Sequence, residues 1–124
     1  MLSAGRELDV IIAKKIFKVD VEHVNQQNGW RIDYRANDNV ANDPILAMDM
    51  VDGYRLKRYS TDLKAAWEVV EKLGQKGTQW RFSNKAFSNK YWWAYTEDAV
   101  AQGNTLQEAI CLAALKHVEE QANG

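Results

Sequence analysis

The residues with the clearest binding chemistry lie between positions 80 and 93, where aromatic and basic side chains occur close together. An aromatic ring can stack on a nucleobase at about 1–3 kcal/mol, and Arg or Lys neutralises phosphate. The segment therefore suggests a site for a small anionic, nucleotide-type ligand, with a solvated basic face or core-filling aromatics as the alternatives. With two arginines further upstream, the candidate ligand-binding residues are Arg55, Arg58, Trp80, Arg81, Lys85, Lys90, Tyr91, Trp92 and Trp93.

Side chains that could perform catalysis are few. His23 and His117 are the two histidines, and Cys111 is the one cysteine. His117 falls late in a predicted helix, where we expect a capping or partly buried residue, and Cys111 is expected to be a small buried thiol. The sequence carries no metalloprotease, phosphate-loop, dinucleotide-binding or nucleophile-elbow motif. It therefore predicts no catalytic residue, no cofactor and no enzymatic activity.

The stretch 37–43, rich in Asn and Asp, is the part of the chain that most resembles a calcium loop. An EF-hand loop needs oxygen ligands at its first, third and fifth positions and Gly at its sixth. Counting from Asp38, the third position is Val40 and the sixth is Asp43. We therefore expect a solvated turn and predict no metal site.

The overall composition limits the classes of protein to consider. A chain of 124 residues suits one domain, which we expect to span residues 1–124. The net charge of −1 provides no general attraction to nucleic acid or to a membrane surface. No apolar run approaches the 18 or so residues that span a bilayer, and the charged N-terminus is unlike a signal peptide. A single cysteine suits a reducing compartment, so we expect a cytoplasmic protein.

The clearest predicted element is a helix of about four turns over residues 59–73. Its apolar residues recur at helical spacing and predict one core-facing stripe with Trp67 near the middle. Ser60 or Thr61 is expected to cap its start, and Gly74 to end it in a left-handed conformation. The predicted core-facing residues are Leu63, Ala66, Trp67, Val70 and Leu73.

Two further helices and several strands complete the predicted elements. The flanking helices cover residues 3–18 and about 106–121, and Thr105 with Glu108 forms a capping box at the start of the last one. Phe17 lies off the main face of the first helix, so it either folds over the helix end or meets another subunit. Strict alternation predicts strands at 30–35, 78–83 and 91–95, with a strand or extended connector at 19–24. Aromatic residues on both faces of 91–95 favour an interior strand covered by helices or one that meets a partner.

Helices and antiparallel strands in this order predict an α+β layered sandwich. Three blocks also resemble a known family: AGRELD at 4–9 with IAKKI at 12–16, YSTDLKAAWEVVEKL at 59–73, and EAICLAAL at 108–115. In order and type they are similar to the phage ABA-sandwich domain of small bacteriophage and prophage proteins. The resemblance implies a three-layer α/β/α sandwich, a mostly antiparallel sheet covered by three helices. It supplies no catalytic residues.

The stretch 19–53 and the repeated Ser-Asn-Lys near residue 85 differ from the family pattern, so a function particular to this chain is expected there.

Two functions from different classes follow. The first is a non-enzymatic phage accessory protein that binds a host macromolecule, expected to be a host protein. The alternative is a protein that sequesters a small anionic host-defence signal of nucleotide type in an aromatic and basic pocket. A homo-oligomer with the pocket at its interface would favour the alternative, and an open exposed patch would favour the first.

Overall fold

The structure is a computed structural model, which describes residues 3–18, 21–24, 29–32, 56–84 and 91–123. Within these ranges the chain forms three helices and five short strands. In chain order they are α1 (Arg6–Lys15), β1 (Val21–Val24), β2 (Gly29–Ile32), α2 (Leu63–Gly74), β3 (Arg81–Ser83), β4 (Trp92–Tyr95), β5 (Val100–Gly103) and α3 (Leu106–Asn123).

The strands form two antiparallel sheets. β1 pairs with β2, and β3, β4 and β5 form a three-stranded sheet in that order. The register places Phe82 opposite Ala94 and Ala94 opposite Ala101. Because side chains alternate across a strand, these three residues share one face, which we call the inner face. Ala94 and Ala101 are buried, and their small side chains let a helix lie close to the sheet.

Helix α3 lies between the inner face and the other two helices. It contacts β4 and β5, and both α1 and α2 pack against it. Ala109 and Ala113 join Ala94 and Ala101 in one buried cluster. Other residues of α3 join α1 and α2 in a second buried cluster: Ile110, Cys111, Ala114 and Leu115. Burial on two sides explains why apolar residues extend around most of this helix.

The predicted core-facing stripe of α2 is partly wrong. Leu63 and Trp67 are 45% and 43% exposed. The buried residues of the helix are Ala65, Ala66, Val69 and Leu73. The small alanines allow α2 to approach α3 closely, which rotates Trp67 to the edge of the interface. There its ring lies 5.6 Å from the ring of Phe82, so it covers the inner face from the side.

The ends of α2 also differ from the prediction. Asp62, not Ser60 or Thr61, is the capping residue, and its side chain accepts a hydrogen bond from the Lys64 N–H. Ser60 is fully buried and binds elsewhere. At the other end the helix includes Gly74, and the left-handed residue comes later, at Gly77 with φ of 91°.

The predicted capping box of α3 is present in a modified form. The Glu108 N–H donates to Thr105 Oγ1 at 3.2 Å. The Glu108 carboxylate accepts the Asn104 N–H at 2.8 Å, one residue before the Thr105 N–H that a standard capping box uses as the donor. Gly103 immediately precedes this turn, and a Cβ there would lie 2.5 Å from the Ala109 nitrogen. β5 and α3 therefore meet at a point where only glycine fits.

Helix α1 is shorter than the predicted 3–18, but its packing follows the sequence. Leu8, Ile12 and Ile16 are buried. Phe17 folds over the helix end and stacks on Tyr59, with ring centroids 5.1 Å apart, as the first of its two predicted alternatives requires. Because α2 begins at Leu63, Tyr59 lies before that helix and not within it.

The α+β class and the antiparallel pairing are confirmed. The described helices do not establish helices on both faces of the sheet, so the three-layer arrangement stays a prediction. The predicted strands at 19–24 and 30–35 overlap β1 and β2. The loop at 37–43 lies outside the described residues, so the expectation that it binds no metal stays a prediction. In the part of the chain that is described, no helix combines the length and apolar character needed to cross a membrane.

Candidate functional site

The outer face of the three-stranded sheet gathers aromatic and cationic side chains. The register places Arg81 opposite Tyr95 and Tyr95 opposite Val100. Trp93 lies opposite Ser83 on one side and Gln102 on the other. By alternation these residues point away from α3. We call Arg81, Ser83, Trp93, Tyr95, Val100 and Gln102 the outer face.

The outer face is open to solvent among the described residues. Arg81 and Gln102 are exposed, Val100 is 42% exposed, and Trp93 and Tyr95 are half-buried. The Arg81 guanidinium carbon lies 4.7 Å from the centre of the Tyr95 ring, a cation–π contact. This contact holds the guanidinium over the sheet, in a position from which its N–H groups can donate hydrogen bonds to a bound molecule.

The structure separates the predicted ligand-binding residues. Trp80 and Trp92 pack against the buried alanine cluster on the inner side, whereas Arg81 and Trp93 lie on the outer face. Tyr91 lies at a different cavity, of about 570 Å³, which Leu112 and Leu115 also line. Among the described residues of the nine, Trp80 and Arg81 line one cavity together.

Of the four other positions of the prediction, one is described by the structure, and it does not join this group. Arg58 is exposed in the turn before α2, where its carbonyl accepts the Asp62 N–H. Arg55, Lys85 and Lys90 lie outside the described residues, so their part of the prediction stays a prediction.

A cavity of about 420 Å³ opens beside the outer face, where β3 begins and β4 ends. Its volume falls in the range of small-molecule sites, about 300–1,000 Å³. Trp80 Nε1 is buried without a hydrogen-bond partner, and a buried N–H of this kind costs stability unless an acceptor satisfies it. The lining residues are Gln79, Trp80, Arg81, Tyr95, Thr96 and Glu97.

His117 forms a second polar group next to this cavity. The residue is fully buried, with Nδ1 2.8 Å from Thr96 Oγ1 and Nε2 3.2 Å from Thr78 Oγ1. Glu97 Oε1 lies 4.0 Å from Nε2, and Asp98 Oδ2 lies 3.9 Å from Nδ1. The imidazole and the two carboxylates are the types of group that hold a metal ion, and one ligand atom from each lies within 4.8 Å of the others. His117 is therefore more deeply buried than the sequence predicts, since the expected residue was only partly buried.

A third polar group is buried between α1 and the segment before α2. Asp9 Oδ1 accepts the Ser60 N–H at 2.8 Å and the Ser60 hydroxyl at 2.6 Å. Arg6 donates to Asp9 Oδ2 at 2.9 Å and to the Leu56 carbonyl at 2.9 Å. The Gly5 N–H donates to Ser60 Oγ, so this oxygen both accepts a hydrogen bond and donates one to Asp9. Because solvent and cavities do not reach Asp9 or Ser60, the group is structural.

Cys111 is fully buried, as predicted. Burial raises the pKa of its thiol well above the ordinary range, and the negative charges of Asp9 and Glu108 raise it further. A thiol that does not ionise is a poor nucleophile, so Cys111 is a packing residue.

The described geometry can be compared with known families. The chain matches the phage ABA sandwich domain over residues 10–115, which is most of its length. The chain belongs to this family. Comparison with curated proteins gives no match, and comparison with solved structures gives none. Ser60 and Glu108 lie within the range that matches the phage ABA sandwich domain, whereas Arg6 and Asp9 lie just before it.

Sequence reasoning missed Tyr95 and Glu97 as site residues. Alternation along 91–95 predicts Trp93 and Tyr95 on one face and Trp92 on the other, as the structure has them, but the candidate ligand-binding residues include both faces and leave Tyr95 out. Glu97 and Asp98 lie in the turn after β4, but their approach to His117 depends on how α3 crosses the sheet. That crossing has no local sequence pattern.

Proposed function

We propose that the protein is a phage-encoded accessory protein without enzymatic activity, which acts in the bacterial cytoplasm by binding a host protein through the outer face. The observation that supports this is the placement of Arg81, Trp93 and Tyr95 side by side on a solvent-open sheet face. Trp, Tyr and Arg are the residue types that dominate binding energy at protein interfaces. The near-neutral net charge argues for a protein partner over nucleic acid.

The size of the outer face determines what kind of contact it makes. Three strands about 4.8 Å apart and three to four residues long, at about 3.3 Å per residue, cover roughly 150–200 Å². A standard interface needs about 800 Å² from each partner. The outer face is therefore too small to form a whole interface. It would form the centre of the interface, and the surrounding protein surface would form the rim. Its Arg81 suits a partner that presents a carboxylate among apolar residues, since bidentate Arg–carboxylate pairing is strong.

A second candidate function is sequestration of a small anionic ligand of nucleotide type in the 420 Å³ cavity. Trp80 lines the cavity beside Arg81, and its ring offers a surface on which a base could stack. Arg81 supplies positive charge and Tyr95 an aromatic face. Glu97 lines the same cavity and would repel an anion placed beside it, so the anionic group is expected near Arg81.

Two substitutions separate these functions because each touches one surface alone. Trp93→Ala removes an outer-face side chain that does not line the cavity. Trp80→Phe reduces the ring surface on which a base could stack and keeps an aromatic side chain. Affinity-purified wild type and variants would be compared in infected-host lysate by quantitative mass spectrometry, and any partner would then be titrated in purified form. Native mass spectrometry of the same samples would report small molecules.

The expected result is a host protein that wild type and Trp80→Phe retain and that Trp93→Ala binds at least tenfold more weakly. A partner bound equally by wild type and Trp93→Ala would refute the outer-face proposal. A non-covalent mass of a few hundred daltons on wild type, reduced in Trp80→Phe, would instead establish the small-ligand function.

A further inference from the structure

The tip of the β4–β5 hairpin presents two carboxylates to a buried imidazole. The Thr96 N–H donates to the Ala99 carbonyl at 2.8 Å, which closes a tight turn with Glu97 and Asp98 at its centre. Their side chains are 44% exposed and open to ions from solvent, and Glu97 Oε2 accepts the Gln79 N–H at 2.8 Å, which leaves Oε1 facing the imidazole. His117 comes from α3 beneath the turn. Glu97 and Asp98 are adjacent in sequence, whereas His117 lies 19 positions after Asp98, so the three residues come together only in the folded protein.

The ring of His117 is held in place by two hydroxyl groups. When Nδ1 carries the proton, it donates to Thr96 Oγ1 at 2.8 Å, and the Nε2 lone pair faces the weaker Thr78 contact at 3.2 Å. A second hydrogen bond that fixes the tautomer and the ring orientation is a common feature of metal-binding histidines. Nε2 is then the nitrogen available to a cation, with Glu97 on its side of the ring.

The charges around this group are unbalanced. Among the described residues, neither Glu97 nor Asp98 forms an ion pair with a lysine or arginine, and the ionisable group that faces both is the imidazole of His117. A cation placed between the carboxylates and the imidazole would be attracted by the acidic groups and would use all three side chains.

We propose that Glu97, Asp98 and His117 bind a divalent transition-metal ion of the Zn²⁺ class. Metal–nitrogen and metal–oxygen bonds of about 2.0–2.2 Å separate two ligand atoms on one tetrahedral ion by about 3.4 Å. Glu97 Oε1 lies 4.0 Å from Nε2 and would need to approach by about half an ångström, whereas Asp98 Oδ2 lies 3.9 Å from the other ring nitrogen, Nδ1, and would need to turn towards Nε2. One ligand atom from each of the three residues already lies within 4.8 Å of the others. Rotation of two exposed carboxylates supplies that movement without a change in the backbone.

The ligand types favour this class over other common cations. Ca²⁺ takes six to eight oxygen ligands, and Mg²⁺ prefers oxygen and retains its waters. Imidazole nitrogen suits Zn²⁺ and its neighbours in the transition series. Three protein ligands leave a coordination position for water, as in sites that bind a further group.

The competing explanation is that His117 is protonated and pairs with the two carboxylates without a metal. A titration separates the two. Full-length protein, dialysed against a chelator and then against chelator-free buffer at pH 7.5, would be titrated with Zn²⁺ by isothermal calorimetry. The test variant is Glu97→Gln with Asp98→Asn, which keeps side-chain size and removes both charges. The matched control is Glu120→Gln, an exposed carboxylate on α3 outside the group.

The proposal expects stoichiometric Zn²⁺ binding by wild type and Glu120→Gln, and affinity at least tenfold lower in the double variant. Wild type without measurable binding, or a double variant that binds equally well, would overturn it. Because the chain has two histidines, long-range ¹H–¹⁵N spectra of wild type and His23→Asn identify each ring. Zn²⁺ should shift the His117 Nε2 resonance in both, and a shift confined to His23 would also overturn the proposal. None of these outcomes depends on the host-protein function.

Discussion

At the scale of single residues, the most informative difference concerns Ser60. Its type and position predict a helix cap, which is a local preference of serine. The structure instead places it 2.6 Å from the buried carboxylate of Asp9, 51 positions away in sequence. A charged hydrogen-bond partner inside the protein outweighs an exposed cap, since bonds to charged groups contribute about 1.5–3 kcal/mol and caps about 1 kcal/mol. Local pattern cannot reveal such a partner.

The buried thiol of Cys111 predicts a specific dependence of stability on alkaline pH. In the unfolded chain the thiol ionises near its ordinary pKa of 9.0, whereas in the folded protein burial raises the pKa and keeps it protonated. Above pH 9 the unfolded state therefore gains stability from ionisation and the folded state does not. The contribution of this thiol to the free energy of unfolding should fall by about 2 kcal/mol between pH 8 and 10.5, at about 1.4 kcal/mol per unit.

Cys111→Ala provides the comparison, because other groups titrate in the same range. Urea unfolding of both proteins would be measured from pH 6 to 10.5. The difference in unfolding free energy between wild type and variant should be constant up to pH 8 and then decrease. Parallel curves throughout would mean that the folded thiol ionises normally and is not buried in solution.

At the scale of elements, the orientation of α2 can be tested by two truncations. A buried aromatic residue costs about 3–5 kcal/mol when cut to alanine, but Trp67 is 43% exposed. We expect about 1–2 kcal/mol for Trp67→Ala, mainly from its contact with Phe82. Leu73, which is 2% exposed, should cost about 3 kcal/mol when replaced by alanine. Chemical denaturation that ranks Trp67→Ala as the more damaging change would show that α2 turns its tryptophan to the core.

The contact between β5 and α3 gives a second test at this scale. In Gly103→Ala the new Cβ would meet the backbone of Ala109 at 2.5 Å, so β5 or α3 must shift. We expect a loss of about 1–3 kcal/mol, typical of overpacking. Gly74→Ala is the matched control, since a Cβ at Gly74 meets nothing within 4 Å and the residue ends a helix.

Thermal unfolding would compare the two glycine variants with wild type. Gly74→Ala should leave the midpoint unchanged or raise it, because alanine favours the helix by up to about 1 kcal/mol. An equal, small effect of both substitutions would mean that β5 and α3 are further apart than the structure places them.

The elements themselves were largely predictable, and their relative placement was not. The periodicity of 59–73 and the capping box at Thr105 located α2 and α3, and the alternation near Trp93 located β4. The pairing of Arg81 with Tyr95 requires the strand register, which depends on the turn and on α3. For that reason alternation separates the two faces within each predicted strand but does not show which faces of neighbouring strands align, and the candidate ligand-binding residues came from both.

At the scale of the whole molecule, the three family blocks are joined by buried polar contacts. Ser60 of the second block binds Asp9 of the first, and Glu108 of the third accepts the Ala4 N–H at 2.8 Å. The first block therefore connects the segment before α2 with the first turn of α3. Each contact satisfies polar groups that would otherwise be buried without partners, which is costly.

This arrangement predicts that a substitution at Ser60 reduces protection against hydrogen exchange in α1 and at the start of α3 together. Ser60→Ala removes the hydroxyl donor to Asp9 and the acceptor of the Gly5 N–H, and should lower the unfolding free energy by about 2–3 kcal/mol. In hydrogen exchange followed by mass spectrometry, peptides from α1 and from the first turn of α3 should both exchange faster, because the Ala4–Glu108 contact transmits the loosening. Thr61→Ala, an exposed neighbour, should leave both regions unchanged. Faster exchange in α1 with unchanged exchange at the start of α3 would show that the Ser60–Asp9 and Ala4–Glu108 hydrogen bonds open independently. The three blocks would then be held together by the apolar core alone.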